Sequence, residues 1–268
     1  MTHTLDVLIP TCGRPAALAV TLAGLAAQSL PRFRVIVSDQ TDGSDAADSG
    51  EVRAVRRVLE LQGRPTAILK HLPRRGMAEQ RQFLLDRSSA GFVLYLDDDL
   101  VLEPTLAERL LTAIRREGCG FVGCGLVGPG FLADVRPHEQ AVEFWDGPVE
   151  PETIRPDGPG WDRHKLHNAA NLHHLAGRLG LRPGDDRRYK VAWCGGCVMY
   201  DAAKLRAVGG FGFWRELPER HCGEDVLAQL RVMARFGGCG ILPSGAYHQE
   251  LPTTVPDRRV DAPRVLPI

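Results

Sequence analysis

The sequence predicts an α/β protein with a mostly parallel central sheet, and three features lead to this prediction. Short apolar stretches alternate with longer segments of helical periodicity along most of the 268 residues. The stretch FVLYL at 92–96 is apolar throughout, as expected of a strand that is covered on both faces of a parallel sheet. Acidic and polar residues follow directly after several apolar stretches, which is where open α/β sheets bind their ligands.

The first half of the chain is predicted to consist of repeated strand–helix units. The predicted strands cover residues 5–10, 33–38, 67–71, 92–96 and 120–127. The predicted helices, identified by Ala/Leu-rich or amphipathic periodicity, cover 16–28, 51–61, 77–88 and 104–117. Because strands and helices alternate, we expect right-handed βαβ units on a parallel sheet.

The regular alternation stops at residues 128–188, which are rich in Pro, Gly, Asp and His and contain one helical piece at 167–179. We interpret this segment as an irregular insertion on the acceptor side of the site. Order returns with a strand at 190–200 and helices at 202–208 and 224–236, and residues 240–243 lead on to Tyr247 and His248. Residues 1–250 are therefore expected to form one domain, followed by an irregular C-terminal tail at 251–268.

Composition and charge exclude several classes of protein. Lys plus Arg and Asp plus Glu each number 33, so no overall charge favours nucleic acid or an anionic membrane. The sequence has no signal peptide and no apolar run long enough to span a membrane, which predicts a cytoplasmic protein, at most peripheral at the membrane. The seven cysteines are odd in number and scattered, so we expect small buried residues and not a disulfide framework.

Three consecutive aspartates, Asp97, Asp98 and Asp99, follow the apolar strand at 92–96. Such a run is compatible with a solvated loop or with the cap of the next helix. At the carboxyl end of a central strand, however, three carboxylates repel one another unless a cation neutralises them. Carboxylate oxygens are hard ligands that suit Mg²⁺ or Mn²⁺, so this run is predicted to bind a divalent metal ion.

Several motifs stand in a characteristic order between residues 5 and 248. They read IPTCGRP, SDQTDG, RRGMAEQRQFLLDRSSAGFVLYLDDD, CGGCVMYDAAKLRAVGGF and HCGEDVLAQL. In this order the chain resembles the family 2 glycosyltransferases. The resemblance implies the GT-A fold, a Rossmann-like α/β/α sandwich, and a nucleotide-diphospho-sugar as the donor substrate.

The resemblance also implies roles for the acidic residues. Asp99 would coordinate Mn²⁺ or Mg²⁺, Asp97 would reach the ribose or the metal, and Asp98 would face the donor sugar. His248 matches a late metal ligand of the family, although a lone histidine is otherwise more often structural. Asp225 would be the general base and Glu224 would help to hold the acceptor, while plain capping of the helix is the alternative for this pair.

The remaining candidate residues would bind the nucleotide-sugar or the acceptor. The resemblance implies a donor-binding role for Pro10, Thr11, Arg14, Asp39, Arg81, Gly195 and Gly196. Asp39 would bind the base, which favours a UDP-sugar, with a turn-forming role before Asp42 and Gly43 as the alternative. Gln40 and Gln82 depart from the usual family residues. Trp214 is a candidate for stacking on an acceptor sugar, with core packing as the alternative.

The sequence therefore predicts a metal-dependent, inverting glycosyltransferase that acts on an acceptor hydroxyl. A sugar-nucleotidyltransferase is less favoured, because the turn Thr-Cys-Gly-Arg-Pro after the first strand lacks the Gly-rich loop with lysine of that class. A catalytically inactive nucleotide- or carbohydrate-binding module is disfavoured by the complete set of carboxylates. The residues do not define the sugar, the acceptor or the oligomeric state.

Overall fold

A computed structural model describes residues 3–182 and 184–268 of the chain. The strands are β1 (Leu5–Thr11), β2 (Arg34–Asp39), β3 (Thr66–Lys70), β4 (Phe92–Leu96), β5 (Leu100–Leu102), β6 (Phe121–Gly123), β7 (Arg187–Tyr189), β8 (Cys197–Asp201), β9 (Gly238–Leu242) and β10 (Ala246–His248). The α-helices are α1 (Pro15–Ala26), α2 (Gly50–Leu61), α3 (Met77–Arg87), α4 (Leu106–Glu117), α5 (Asn171–Arg178), α6 (Ala202–Ala207), α7 (Glu224–Phe236) and α8 (Ala262–Val265). Within these ranges, no helix has the length and apolar character needed to cross a membrane.

The central sheet has eight strands in the order β3-β2-β1-β4-β8-β6-β9-β7. The strands β1 to β4 are mutually parallel where they pair, and β6 and β9 are parallel as well. The predicted mostly parallel α/β sheet is therefore confirmed. The sheet is not parallel throughout, since β8 runs antiparallel to both β4 and β6. The long segment between β6 and β8 replaces a crossover helix, so the chain can return in the opposite direction.

Alternation of side chains along the strands produces two separate apolar cores. Val7 and Ile9 of β1 pack with apolar residues of α1, α2 and α4 on one face of the sheet. Leu8 points to the other face and shares a core with residues of α3 and α7. Because successive side chains of a strand point to opposite faces, each central strand contributes to both cores. The result is the predicted three-layer α/β/α arrangement.

Residues 128–182 and 184–188 contain little regular structure, and several of them are anchored in the main core. They contain short 3₁₀ turns, a longer 3₁₀ helix at Trp161–His167 and the helix α5. Ile154, Leu166 and Leu172 are buried in the same core as the apolar residues of α7. The segment therefore packs as one wall of the domain beside α7.

The C-terminal part of the chain returns to the centre of the domain. β10 pairs with β5 in a small antiparallel sheet, which places His248 opposite Leu100, next to the acidic run. The segment predicted to be an irregular tail then folds back, with backbone hydrogen bonds of 2.9 Å from Cys222 N to Val260 O and from Ala262 N to Cys222 O. Ala262 of the short helix α8 is completely buried.

Candidate active site

A cavity of about 630 Å³ lies beside the carboxyl ends of β1 and β4. In the sheet, β2 and β3 lie on one side of β1, and β4 and the later strands lie on the other side. The carboxyl ends of the strands at such a reversal of strand order are where α/β sheets bind ligands. The following predicted site residues line the cavity: Pro10, Thr11, Arg14, Arg81, Asp97, Asp98, Asp99, Glu224, Asp225 and His248. Motifs that are far apart in the chain therefore share one cavity.

Asp98 and Asp99 are held by residues of the turn after β1. Asp98 accepts a hydrogen bond of 2.6 Å from the Thr11 hydroxyl. The Arg14 guanidinium lies 2.7 Å from Asp99 Oδ2 and 3.3 Å from Asp98 Oδ1. Burial raises the pKa of Asp98 to about 6, although the Thr11 hydrogen bond and Arg14 act in the opposite direction. Arg14 thus places a cation between two carboxylates at the floor of the cavity.

Asp97 pairs with the buried Arg81, which joins the acidic run to the start of α7. Arg81 Nη2 lies 3.2 Å from Asp97 Oδ1, and Arg81 Nε lies 2.9 Å from Glu224 Oε1. Burial alone would lower the pKa of Arg81, but Glu224 and Asp97 together raise it. Its guanidinium therefore remains charged and fixes the positions of both carboxylates, and its donor-binding role stays a prediction.

The three aspartates are compensated by cationic side chains from distant parts of the chain. That this run binds a divalent metal ion stays a prediction: Arg14 and Arg81 pair with these carboxylates, and His248 Nε2 lies near Asp99. Among residues 3–182 and 184–268, no group of three His, Cys, Asp or Glu side chains is placed to hold a metal ion. Asp99 Oδ2 and His248 Nε2 lie 3.4 Å apart, a separation that lets two ligands share one ion.

Asp225 presents its carboxyl group to the cavity from the first turn of α7. Burial, followed by repulsion from Glu224, raises its pKa to about 7, while Arg81 opposes this shift. A carboxyl group with a pKa near neutrality can be ionised at pH 7 and still accept a proton readily. The role of general base stays a prediction for Asp225, and plain capping of α7 does not explain its raised pKa.

Asp39 does not line the cavity, although the sequence predicted that it binds the base. Asp39 Oδ1 accepts a hydrogen bond of 2.8 Å from the Thr41 backbone, and Oδ2 accepts one of 2.8 Å from the Ala46 backbone. Burial opposes the charged form, but these hydrogen bonds outweigh it and lower the pKa of Asp39. Asp39 thus shapes the loop after β2, while its neighbour Gln40 lines an adjoining cavity of about 500 Å³.

Gly195 and Gly196 lie behind the acidic run and outside the lining of the cavity. Gly196 O accepts a hydrogen bond of 2.9 Å from the Asp97 backbone. Gly196 has a φ of +70°, and a Cβ atom there would lie 2.5 Å from Leu126 Cδ1 and 3.0 Å from Asp97 Oδ2. At Gly195 a Cβ atom would contact only Trp193, at 3.5 Å. Only Gly196 therefore requires glycine, and its role is to support Asp97.

The substitution Gly196→Ala is expected to destabilise the fold, because it adds both backbone strain and a steric clash. We expect the free energy of unfolding to fall by about 1–3 kcal/mol, as measured by urea denaturation. Gly195→Ala is the matched control and should change the free energy of unfolding by less than about 0.5 kcal/mol. Equal effects of the two substitutions would contradict this interpretation.

Trp214 is not part of the cavity wall; it packs against the core, with the Arg215 guanidinium 4.7 Å from its ring. Core packing, the alternative considered for Trp214, therefore describes its position. Trp161 and Trp193 line the cavity instead. Sequence reasoning missed both, and the available signal was the position of Trp193 just before the Cys-Gly-Gly-Cys motif. Trp161 has no comparable signal, because it lies in the irregular segment.

The folded-back C-terminal segment also contributes to the cavity, which the sequence did not suggest. The lining residues from this segment are Leu251, Thr253, Thr254, Val255, Arg258, Asp261 and Pro263. The carbonyl oxygen of Pro252 accepts a hydrogen bond from the Arg14 guanidinium. The tail therefore closes one side of the cavity and contacts the same arginine that holds Asp98 and Asp99.

Two solved structures are similar to this chain over most of its length. The S. aureus protein TarS (1-349) superposes with a TM-score of 0.56 and 14% identity over 92% of this chain and 60% of that chain. The mannosyltransferase PcManGT from Pyrobaculum calidifontis, in complex with GDP-Man and Mn²⁺, superposes with a TM-score of 0.55 and 13% identity over 95% of this chain and 59% of that chain. The protein thus has the GT-A fold of these glycosyltransferases.

The family follows from the sequence match. Residues 6–171, more than half of the chain, match the model of glycosyl transferase family 2, and the chain belongs to this family. The succinoglycan biosynthesis protein ExoM of Rhizobium meliloti (strain 1021) is 32% identical over 154 residues, which are 56% of this chain. The chain spans 42% of the length of this curated relative.

Proposed function

We propose that the protein is a metal-dependent, inverting glycosyltransferase that moves a sugar from a nucleotide-diphospho-sugar to an acceptor hydroxyl. The observation that carries this proposal is the shared cavity of Asp225, Arg14 and the acidic run. A direct displacement at an anomeric carbon requires a carboxyl group that can accept a proton. It also requires a charged region that can stabilise the departing diphosphate. Membership of family 2 supports the same reaction class.

The donor is proposed to bind with its diphosphate near Arg14 and its base toward the adjoining cavity. Cys12, Met77 and Gln80 line both cavities, so the two spaces are neighbours. TarS has been solved in complex with UDP-GlcNAc, and PcManGT with GDP-Man and Mn²⁺. Either nucleotide class is therefore compatible with the fold, and a UDP-sugar remains the prediction from sequence.

Asp99 and His248 are the residues proposed to hold a divalent cation. Their donor atoms lie 3.4 Å apart, and Mg²⁺-type sites are commonly completed by substrate phosphates and water. The ion would supply charge stabilisation for the departing diphosphate. Arg14, which contacts Asp99 in the structure, adds a fixed positive charge at the same place.

The chemistry proposed for the chain's own residues is a single displacement. Asp225 accepts the proton of the acceptor hydroxyl, and the acceptor oxygen forms a bond to the anomeric carbon of the donor. The bond between that carbon and the diphosphate breaks, and its electron pair leaves with the nucleoside diphosphate. Attack from the face opposite the leaving group inverts the configuration. Arg81 keeps Glu224 and Asp97 in place during this step.

The proposal predicts that a nucleotide stabilises the protein only when a divalent cation is present. UDP, GDP and their sugar conjugates would be screened by thermal melting, each with Mn²⁺ and with EDTA. A ligand at 100 times its dissociation constant stabilises by about 2.7 kcal/mol. This corresponds to roughly 5–10 °C in melting temperature for a chain of this size. Incubation of the stabilising nucleotide-sugar with acceptors would then reveal transfer.

Two variants make this experiment specific. His248→Ala is expected to remove most of the Mn²⁺-dependent shift, whereas the exposed His138→Ala should keep it. Stabilisation that persists unchanged in EDTA would argue against metal dependence. The absence of any shift with every nucleotide would favour the alternative of an inactive or differently specialised module.

A further inference from the structure

An aromatic wall, defined by Trp161, His164 and Trp193, lies at the cavity that contains Asp225, with His164 behind the lining. The two indoles line the cavity directly. The His164 ring lies nearly parallel to the Trp193 ring, at 10° and 6.1 Å between centroids, and 5.6 Å from the Trp161 ring. His164 Nδ1 is 2.7 Å from the Trp161 carbonyl oxygen, which fixes the imidazole between its contacts. The Trp161 ring is tilted by 52° to the His164 ring, so the two indoles are inclined to each other, and His164 contacts both.

This aromatic wall is tied to the proposed general base by a side-chain clamp. Gln229 of α7 accepts a hydrogen bond of 2.8 Å from the Cys194 backbone N–H and donates one of 2.8 Å to the Cys194 carbonyl oxygen. The same amide nitrogen lies 3.1 Å from the Asp225 carbonyl oxygen. Because Trp193 directly precedes Cys194, its backbone is held beside the first turn of α7, which carries Asp225. Trp193 and Asp225 line the same cavity.

Polar side chains also line this cavity, beside the apolar Leu251, Val255 and Pro263. Thr253, Thr254, Arg258 and Asp261 from the folded-back C-terminal segment line it together with the indoles. Hydroxyl, guanidinium and carboxyl groups can donate to and accept from sugar hydroxyls. An indole face attracts the slightly positive C–H groups on the flat face of a pyranose ring. An aromatic surface with such a polar rim matches the two-sided character of a sugar better than that of a plain lipid or peptide.

We infer that the aromatic wall is the acceptor subsite and that the acceptor hydroxyl belongs to a pyranose ring stacked on Trp161 and Trp193. This inference rests on the proposed function, because it assigns the second substrate of that reaction. It names the acceptor class as carbohydrate, either a free saccharide or the sugar end of a lipid-linked one. Trp214, the candidate from sequence, has no part in it, since it packs against the core and does not line the cavity.

The test is a calorimetric titration in which methyl glycosides of glucose, galactose, mannose and N-acetylglucosamine are added to the protein. Mn²⁺ and the stabilising nucleotide are present throughout. Trp161→Leu and Trp193→Leu remove the aromatic face and are expected to weaken binding about five- to tenfold each. Trp161→Phe and Trp193→Phe keep an aromatic ring and should lose less. Trp145→Leu, in the same irregular segment but away from the cavity, is the matched control and should bind normally.

A second arm distinguishes the two sources of the sugar. Dodecyl glycosides are compared with the methyl glycosides, and tighter binding of the dodecyl form that still depends on Trp161 and Trp193 indicates a lipid-linked acceptor. Equal affinity with the same dependence indicates a free saccharide. The inference is overturned if no glycoside binds, if the leucine variants bind as the wild type does, or if Trp145→Leu causes the same loss.

These outcomes are separate from those of the proposed function, because the titration requires no sugar transfer. Failure to transfer any sugar from any donor would reject the proposed function even if glycosides bind to the aromatic wall. Transfer to a hydroxyl outside the carbohydrates, with full activity in Trp161→Leu and Trp193→Leu, would reject the acceptor assignment and leave the proposed function intact. The kinetic constants of the leucine variants add a check. Because stacking holds the acceptor in place, its loss should raise the acceptor KM more than it lowers kcat.

Discussion

Replacement of Asp225 by asparagine is expected to lower kcat by about 10²–10⁴-fold, the usual contribution of a positioned general base. The amide preserves the size of the side chain but cannot accept the proton of the acceptor hydroxyl. Transfer would be measured at saturating donor and acceptor, and nucleotide-dependent thermal stabilisation would be measured in parallel. Retained stabilisation with lost turnover is the expected combination, because Asp225 acts on the acceptor side of the reaction.

The pH dependence of the wild-type rate provides a second measurement of the same group. The base must be ionised to work, and burial beside Glu224 raises the pKa of Asp225 to about 7. The rate is therefore expected to fall by about tenfold per pH unit below pH 7, and to level off above it. If the base were an aspartate with an unperturbed pKa, the rate would fall only below about pH 4.

The matched control for Asp225→Asn is Asp162→Asn, a carboxyl group with a side chain that is 78% exposed. Its kcat should match that of the wild type. Wild-type turnover in Asp225→Asn, or an acid limb that stays in place in this variant, would remove Asp225 from the role of base. If the nucleotide still binds and no transfer activity depends on Asp225, the result would favour a binding module.

The substitution Arg81→Met is expected to lower the free energy of unfolding by about 3–5 kcal/mol, because it leaves a buried carboxylate without its partner. Glu224 and Arg81 side chains are each only 7% exposed and lie 2.9 Å apart. Urea denaturation at pH 7 measures the loss directly. The same variant removes a positive charge that lowers the pKa of Asp225, so the acid limb of any residual activity should move to higher pH.

Two further variants separate the buried charge from the lost packing. In Arg81→Met combined with Glu224→Gln, no unpaired charge is left, so a substantial part of the lost stability should return. Arg56→Met breaks an exposed pair with Glu60 and is expected to change stability by no more than about 0.5 kcal/mol. If Arg81→Met proves as mild as Arg56→Met, the buried network does not hold the site as described.

The order of strands and helices was largely predictable because it depends on local periodicity. The predicted strand at 92–96 and helix at 224–236 have the same bounds as β4 and α7. The reversed direction of β8 was not predictable, since strand direction depends on where the connecting segment crosses the sheet. The irregular 128–188 segment also hid Trp161, because its position depends on packing against the core and not on any repeat.

The sequence by itself determined the fold class, the family resemblance and the set of acidic residues, because these depend on residue types and their spacing along the chain. Only the tertiary structure decided which side chains face those acids. Arg14, Arg81 and His248 come from separate segments, and their contacts with Asp97 and Asp99 exist only after folding. The same holds for the raised pKa of Asp225, since burial and the field of Glu224 and Arg81 are properties of the folded chain.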